Sequence, residues 1–417
     1  MKGMTGMTEA ALGTVVIVGG GQAGGETAAE LRKLGFDGKV VILGEEPFLP
    51  YKRPPLSKAY LAGTMGEEQL YMMQQANLDK AKIEYRGGVR VERIDRAAKQ
   101  LELADGSRIG YDKLVLATGG RARPIPAPGA DRANVFLLRT IADVQAIRAR
   151  CGEGKRVTIV GGGFIGLEAA AVLVKHGLKV TVLEGLPRVL ARVTCPEVSA
   201  FYERVHREAG VDLRTGVGVA AFEGEPEVTR VRFADGGHVD TDLVIVGIGV
   251  VANTELAQTA GLAVDNGIVV DEHARTSDPD IYAAGDCTNH PSAFLGRRVR
   301  LESVQNAMEQ ARAAARNLMG KTESYQMVPW FWSDQYDLKL QMVGISTGYD
   351  RIVLRGDPLT QRNFAVFYLD QAGHMIAADT VTRPQDFMFA KKLVAAKAVI
   401  DPAQLADEAL PMKTLAA

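Results

Sequence analysis

Residues 158–170 read TIVGGGFIGLEAA, and residues 16–29 have already read VIVGGGQAGGETAA. Each phrase is a β-branched run, a glycine-rich turn and a stretch of good helix formers, which predicts strand, tight turn and helix in that order. The glycines are Gly19, Gly21 and Gly24 in the first copy and Gly161, Gly163 and Gly166 in the second. The predicted strands are Thr14–Val18 and Arg156–Val160, and the helices run over 26–34 and to about residue 176. A further apolar run follows each helix, Lys39–Leu43 and Lys179–Leu183, and delivers an acid, Glu45 in one case and Glu184 in the other.

G-x-G-x-x-G set between strand and helix, with an acid at the end of the next strand, is the Rossmann fingerprint for a dinucleotide. The first glycine allows the tight turn, the second lets backbone N–H groups approach a pyrophosphate, and the third lets helix and strand pack closely. The acid accepts hydrogen bonds from ribose hydroxyls. One copy is weak evidence, whereas two complete copies imply two dinucleotides. The economical pair is one that stays, FAD, and one that visits, a nicotinamide.

The rest of the composition narrows the setting. A 417-residue chain with 47% hydrophobic residues is long enough for two or three domains. Its 49 basic and 50 acidic side chains give a net charge of -1, so bulk charge supplies no reason to expect nucleic acid or a membrane surface as partner. No run approaches the roughly 18 to 20 apolar residues of a membrane span, and a cytoplasmic protein is expected. The leader MKGMTGMTEA, with three methionines, is set aside from fold reasoning. Cys151, Cys195 and Cys287 are too far apart for a Cys-x-x-Cys site, and the six histidines show no metal-ligand spacing, so no metal is expected.

Other motifs carry a family resemblance. Residues 276–286, TSDPDIYAAGD, resemble the second FAD motif of the two-dinucleotide flavoproteins, and LVLATGG at 114–120 resembles their A-T-G junction. RPPLSKAYL at 53–61, TCPEVSAFYERVHREAGVDLRTG at 194–216, RLESVQNAMEQAR at 300–312 and PWFWSDQY at 329–336 are similar to the FAD-dependent, NADH-utilising ferredoxin reductases that serve bacterial oxygenases. The likeness runs from about Thr14 to Pro411. It implies an α/β fold like that of glutathione reductase: an FAD domain at 11–120 and 253–325, an inserted NAD domain at 121–252, and a C-terminal α+β domain at 326–417.

The resemblance also implies roles. Gly19, Gly21, Ala23, Gly24, Glu45, Arg53, Lys58, Val91, Ala117, Thr118, Arg139, Asp286 and Val304 fall at FAD positions. Gly161, Gly163, Ile165, Gly166, Glu184 and Gly249 fall at nicotinamide positions. Glu184 favours a ribose 2′-hydroxyl over a 2′-phosphate, and the first nearby base is Arg188, so NADH is preferred. Lys58, expected just before a helix, pairs with Glu168 near flavin N5. Trp332 covers the flavin edge that faces the partner, a [2Fe-2S] ferredoxin. Trp330 and Trp332 share one side of a strand by the period of two. Arg297, Arg298 and Arg300, with Arg312 and Arg316 one helical turn apart, are the candidate surface for an acidic partner.

The stretch at 47–58 holds no cysteine, so the thiol relay of disulfide-reducing relatives is absent. The segment 49–58 differs in its aromatic and basic residues from one oxygenase-serving member, which bears on partner choice rather than on the reaction. The expected activity is NADH-dependent reduction of a [2Fe-2S] ferredoxin feeding a monooxygenase or dioxygenase. Reduction of rubredoxin, nitrite or oxygen, or redox sensing of the apoptosis-inducing-factor type, are the alternatives. A monomer or weak dimer is expected.

Overall fold

The computed structural model describes residues 13–415, so the leader and the first two residues of the expected 11–120 segment lie outside it. The chain divides into two compact units, one of residues up to 52 with 71–120 and 252–327, the other of 53–70, 121–251 and 328–417.

In the first unit a five-stranded parallel sheet has the order Ile281–Ala283, Lys113–Leu116, Thr14–Val18, Lys39–Leu43, Ile83–Arg86. Thr14–Val18 is buried on both faces, which is why it reads as an unbroken β-branched run. The helices Gln22–Lys33 and Val304–Leu318 pack together on one face through Ala23, Ala28 and Leu31 against Ala307, Ala311 and Ala314. Alanines at these positions let the two helices approach closely. A three-stranded antiparallel sheet, Val91–Asp95, Gln100–Leu103 and Arg108–Gly110, contributes Ile94, Leu101 and Leu103 to the core on the opposite face.

The second unit repeats the plan. Its parallel sheet has the order Asp212–Thr215, Lys179–Glu184, Arg156–Val160, Leu243–Val246, Val135–Leu137, with the helix Phe164–Lys175 after the glycine turn. The registers correspond: Val18 pairs with Leu43 in one sheet and Val160 with Leu183 in the other. Residues 328–415 add a five-stranded antiparallel sheet in the order Trp330–Gln335, Leu338–Gly344, Met375–Val381, Phe364–Leu369, Arg351–Arg355, and the helix Pro384–Ala395.

Two local expectations are corrected. The first glycine loop enters its helix at Gln22, four residues earlier than expected, because Gly21 is itself the N-cap. Lys58 does not precede a helix: it closes the short 3-10 turn Pro54–Ser57, whose consecutive prolines fix φ for that turn, and turns follow it.

Candidate active site

The two glycine loops show directly which glycines serve the chain and which serve a ligand. Gly19 and Gly161 sit at φ of +123° and +114°, and a Cβ on them would run into the carbonyls of Ala117 and Gly247. A Cβ on Gly24 or Gly166 would strike the carbonyl of Gly19 or Gly161. Gly21 and Gly163 instead face open space and have ordinary negative φ, so the fold itself does not require glycine there. Both are N-caps with no side chain bonded to the first N–H groups of their helices. Two uncapped helix ends, each behind a residue with no side chain, fit the pyrophosphates of two dinucleotides.

The second loop opens on a cleft of about 260 Å³ lined by Gly161, Gly163, Glu184, Leu186, Arg192 and Ile248 among others. Glu184 ends its strand here. Its carboxylate accepts from the N–H of Gly162 at 2.6 Å and of Leu186 at 2.8 Å, one bond to each oxygen, so both oxygens keep a lone pair for ribose hydroxyls. Arg188 turns elsewhere, donating to Ser199 Oγ at 2.6 Å and to the Ala191 carbonyl at 3.0 Å. The base that lines the cleft is Arg192, which the sequence reading missed because its spacing from Glu184 matches no fingerprint position. The first copy differs. Gly44 holds the place that Glu184 takes in the second, and Glu45, one residue later, is 69% exposed and paired with Arg90 at 3.1 Å.

Glu168 lies on the helix Phe164–Lys175 and is 2% exposed. Its carboxylate accepts from Ser57 Oγ at 2.5 Å and Ser333 Oγ at 2.6 Å and meets Lys58 Nζ at 2.7 Å. Three segments distant in sequence thus converge: the proline turn delivers Ser57 and Lys58, the helix Glu168, and the strand Trp330–Gln335 Ser333. A buried carboxylate costs several kcal/mol unless paired and fully hydrogen-bonded, and these three donors meet that requirement. Ser57 and Ser333 were not singled out from sequence, where a serine carries no signal of the acid it meets.

The remaining predicted residues fall as follows. Ile165 is exposed and Gly249 adopts φ of +117°. Arg53 donates to the Arg139 carbonyl at 2.7 Å. In the first unit, Thr118 Oγ1 donates to the Asn253 carbonyl at 2.6 Å while Asn253 Nδ2 donates to the Thr118 carbonyl at 2.9 Å, so the two ends of the 121–252 segment are tied where the chain leaves and returns. Ala23 is buried, Val91 and Asp286 are half-buried, and Val304 opens a helix capped by Ser303, whose Oγ accepts from the Asn306 N–H at 3.1 Å. Trp330 and Trp332 lie on one side of their strand with ring centroids 5.6 Å apart, and Lys391 Nζ sits 5.1 Å from the Trp330 centroid.

The arginine cluster is not a set of unpaired cations. Arg312 meets Glu26 at 2.7 Å and Arg316 meets Glu30 at 3.1 Å, across the two packed helices. Arg298 donates to the carbonyls of Val270 and Asn289, and Arg300 pairs with Glu302. Helical spacing places Arg312 and Arg316 on one face, and acids on the neighbouring helix occupy that face.

Cys195 and Cys287 are buried and Cys151 is half-buried, all as free thiols. Burial pushes the Cys195 thiol up to about 11 and raises the other two, the opposite of what a redox thiolate needs. Among the described residues no group of acids, histidines and cysteines forms a metal site, and no helix is long and apolar enough to cross a membrane.

Comparison with known proteins agrees with this geometry. Residues 13–311 match the model for the pyridine nucleotide-disulphide oxidoreductase family, and residues 330–416 match the reductase C-terminal model. The chain is 49% identical to the putidaredoxin reductase CamA of Pseudomonas putida, over 97% of this chain and 96% of the relative. It is 47% identical to the 5,5'-dehydrodivanillate O-demethylase ferredoxin reductase subunit of a Sphingobium species, over 96% and 98%. Among solved structures, putidaredoxin reductase in its covalent complex with putidaredoxin superposes with a TM-score of 0.94 at 47% identity, covering 97% of this chain and 98% of that one. The ferredoxin reductase of the CYP199A2 system from Rhodopseudomonas palustris gives 0.93 at 41%, covering 97% and 100%. Two glycine cradles without side-chain caps, an acid at the strand end beside the second of them and full-length likeness converge on one assignment: the chain is an oxidoreductase that uses FAD and NAD(H) and belongs to the pyridine nucleotide-disulphide oxidoreductase family, with the ferredoxin reductases.

Proposed function

We propose that this chain passes electrons from NADH to a [2Fe-2S] ferredoxin that supplies a bacterial monooxygenase or dioxygenase. The observation that carries the reading is the buried Glu168 with its three donors, beside a nicotinamide loop and with no activated thiol to divert electrons to a disulfide. FAD, when bound, would supply the chemistry that joins a two-electron hydride donor to a one-electron acceptor.

The chain's residues take the following parts. Gly21 and Gly163 admit the two pyrophosphates to the helix N–H groups. Glu184 binds the adenine ribose of NADH and disfavours a 2′-phosphate, while Arg192 supplies the positive charge of the cleft. Ala23, Glu45, Arg53, Val91, Ala117, Thr118, Arg139, Asp286 and Val304 hold FAD, and Ile165 and Gly249 border the nicotinamide.

Glu168, fixed by Ser57 and Ser333, orients the carboxamide, and Lys58 neutralises it. Hydride transfer needs alignment more than a base, so the pair positions the reactants and shuttles no proton. Trp332 faces the ferredoxin. The proposal takes with it an FAD domain at 11–120 and 253–325, an NAD domain at 121–252 and a C-terminal domain at 326–417, in a cytoplasmic monomer or weak dimer. Of the candidate arginines the exposed Arg297 is favoured for docking an acidic partner, since the others hold bonds inside the protein.

The test is anaerobic stopped-flow reduction by NADH, then mixing with a panel of [2Fe-2S] ferredoxins and a rubredoxin while flavin and iron-sulfur absorbance are followed. Fast one-electron transfer to a [2Fe-2S] protein, lost steeply with added salt while ferricyanide reduction persists, is the expected result. Reduced protein that persists with every carrier but reacts quickly with oxygen would replace this reading with an oxidase.

A further inference from the structure

Glu168 is the end of a longer buried chain of hydrogen bonds. Ser333 Oγ, which bonds Glu168, lies 3.2 Å from Gln335 Nε2. Gln335 Oε1 lies 2.9 Å from His206 Nε2, and His206 Nδ1 lies 2.9 Å from Tyr336 Oη. Ser333, Gln335 and His206 are all buried, and only Tyr336 reaches partial exposure, with Lys175 Nζ 5.4 Å from its ring centroid. None of these four residues was singled out from sequence.

The chain has a direction, and the direction follows from its ends. A carboxylate paired with Lys58 can only accept, so Ser333 must give its one hydrogen to Glu168. Its lone pair then takes the Gln335 amide N–H, which leaves the amide oxygen facing His206. That oxygen needs a donor, so the hydrogen of His206 belongs on Nε2, and Nδ1 accepts from the Tyr336 hydroxyl. Burial holds the imidazole neutral by pushing its pKa down to about 4, so it carries one hydrogen and can serve only one of the two directions. With the hydrogen on Nδ1 the amide would turn over, Ser333 would donate to Gln335, and the Oε1 of Glu168 would lose that donor.

We propose that His206 is a remote positioning residue: held as the Nε2–H tautomer, with Tyr336 donating to Nδ1, it keeps Gln335 and Ser333 oriented so that Ser333 donates to Glu168, three hydrogen bonds away. Buried chains of this kind are worth more than their separate bonds, because each member orients the next. This rests on the reading above that Glu168 orients the nicotinamide.

The experiment uses the full chain loaded with FAD. Nitrogen NMR of histidine-labelled protein reads the tautomer of His206, and infrared spectroscopy reads the carboxylate band of Glu168, assigned by its absence in Glu168→Gln. The wild type should show the Nε2–H form. Tyr336→Phe, at a half-buried site, removes the donor to Nδ1 and should produce a tautomer mixture, a shifted carboxylate band, and an NADH dissociation constant raised by about threefold to tenfold, as losing the orientation of one bond to a charged group would do. Gln335→Met, similar in volume, should shift the same band with the His206 ring left in place, which covers the case in which Tyr336→Phe does not fold. An Nδ1–H imidazole in the wild type, or a carboxylate band that neither folded variant moves, overturns the proposal and leaves the ferredoxin reading untouched. Failure to reduce any ferredoxin, with tautomer and band as expected, sinks that reading and not the positioning role.

Discussion

Lys58 Nζ stands 2.7 Å from Glu168 Oε2, and while the lysine keeps 20% of its side chain exposed the glutamate keeps 2%. Removing the cation would leave a nearly buried carboxylate with two hydroxyl donors and no counter-charge, a change that costs on the order of 3 to 5 kcal/mol when it cannot relax.

Lys58→Met should therefore slow flavin reduction by NADH at least about tenfold, since about 1.4 kcal/mol of lost alignment at the reacting centre suffices for that. Anaerobic stopped flow measures it, and an unchanged rate with unchanged NADH affinity would reduce the pair to a structural ion bridge.

The glycines separate folding from binding. Gly166→Ala places a methyl against the Gly161 carbonyl and should lower stability by at least about 1 to 3 kcal/mol. Gly163→Ala meets nothing within 4 Å and should fold as well as the wild type, yet weaken NADH binding because the added carbon occupies the pyrophosphate's approach. Thermal unfolding and an NADH titration of both variants give the comparison; equal NADH affinity in Gly163→Ala and wild type would take the pyrophosphate away from this loop.

Gly185 has no atom within 4 Å of an added Cβ, so a side chain can leave the backbone there, next to Glu184, without a clash. Glu184→Gln combined with Gly185→Arg should move the ratio of kcat/KM for NADPH over NADH upward by about 100-fold, because one anion is removed and one cation added where a 2′-phosphate would lie. A ratio that stays put would mean the ribose does not reach Glu184.

Trp332→Ala should depress ferredoxin turnover more than ferricyanide turnover. The small inorganic acceptor does not need a shaped protein surface, whereas a docked carrier does. Equal losses with both acceptors would leave Trp332, 5.6 Å from Trp330, a packing residue.

Two buried histidines make the fold sensitive to acid. Burial pushes the pKa of His206 and of His290 down to about 4, while an unfolded histidine titrates near 6.5. Above pH 6.5 both states leave these rings neutral and the contribution is complete. As pH falls from 6.5 toward 4 the unfolded chain gains protons that the folded one refuses, and stability is lost. Asp379 works against this: burial raises its carboxyl to about 6, so its contribution is full below pH 3.8 and fades as pH rises to 6. Urea unfolding at pH 7.5 and pH 5 should show a net loss in the wild type, smaller in His206→Gln and in His290→Gln by on the order of 1 to 2 kcal/mol each. Identical pH dependence in all three would mean that the folded rings take up protons as readily as the unfolded ones.

The two glycine phrases dictated most of the fold. A β-branched run that must be buried on both faces, a turn that needs positive φ and a helix that follows it leave little choice of local structure, and the register of each copy matches the other pair for pair. The place of Glu184 at the end of the strand after the second glycine turn was legible for the same reason, whereas the contact between Lys58 and Glu168 was expected only from the family resemblance of their motifs. The partners of these residues were decided only in three dimensions. Ser57 and Ser333 reach Glu168 across 111 and 165 positions, and a hydroxyl bears no period or charge by which the chain could advertise the contact. Arg312 and Arg316 read as one basic face, but Glu26 and Glu30, 286 positions away, take up that face once the two alanine-lined helices pack. Charge and periodicity are properties of a segment, and sequence carries them; satisfying a buried polar group depends on which segments meet, and the packed tertiary structure alone settles that.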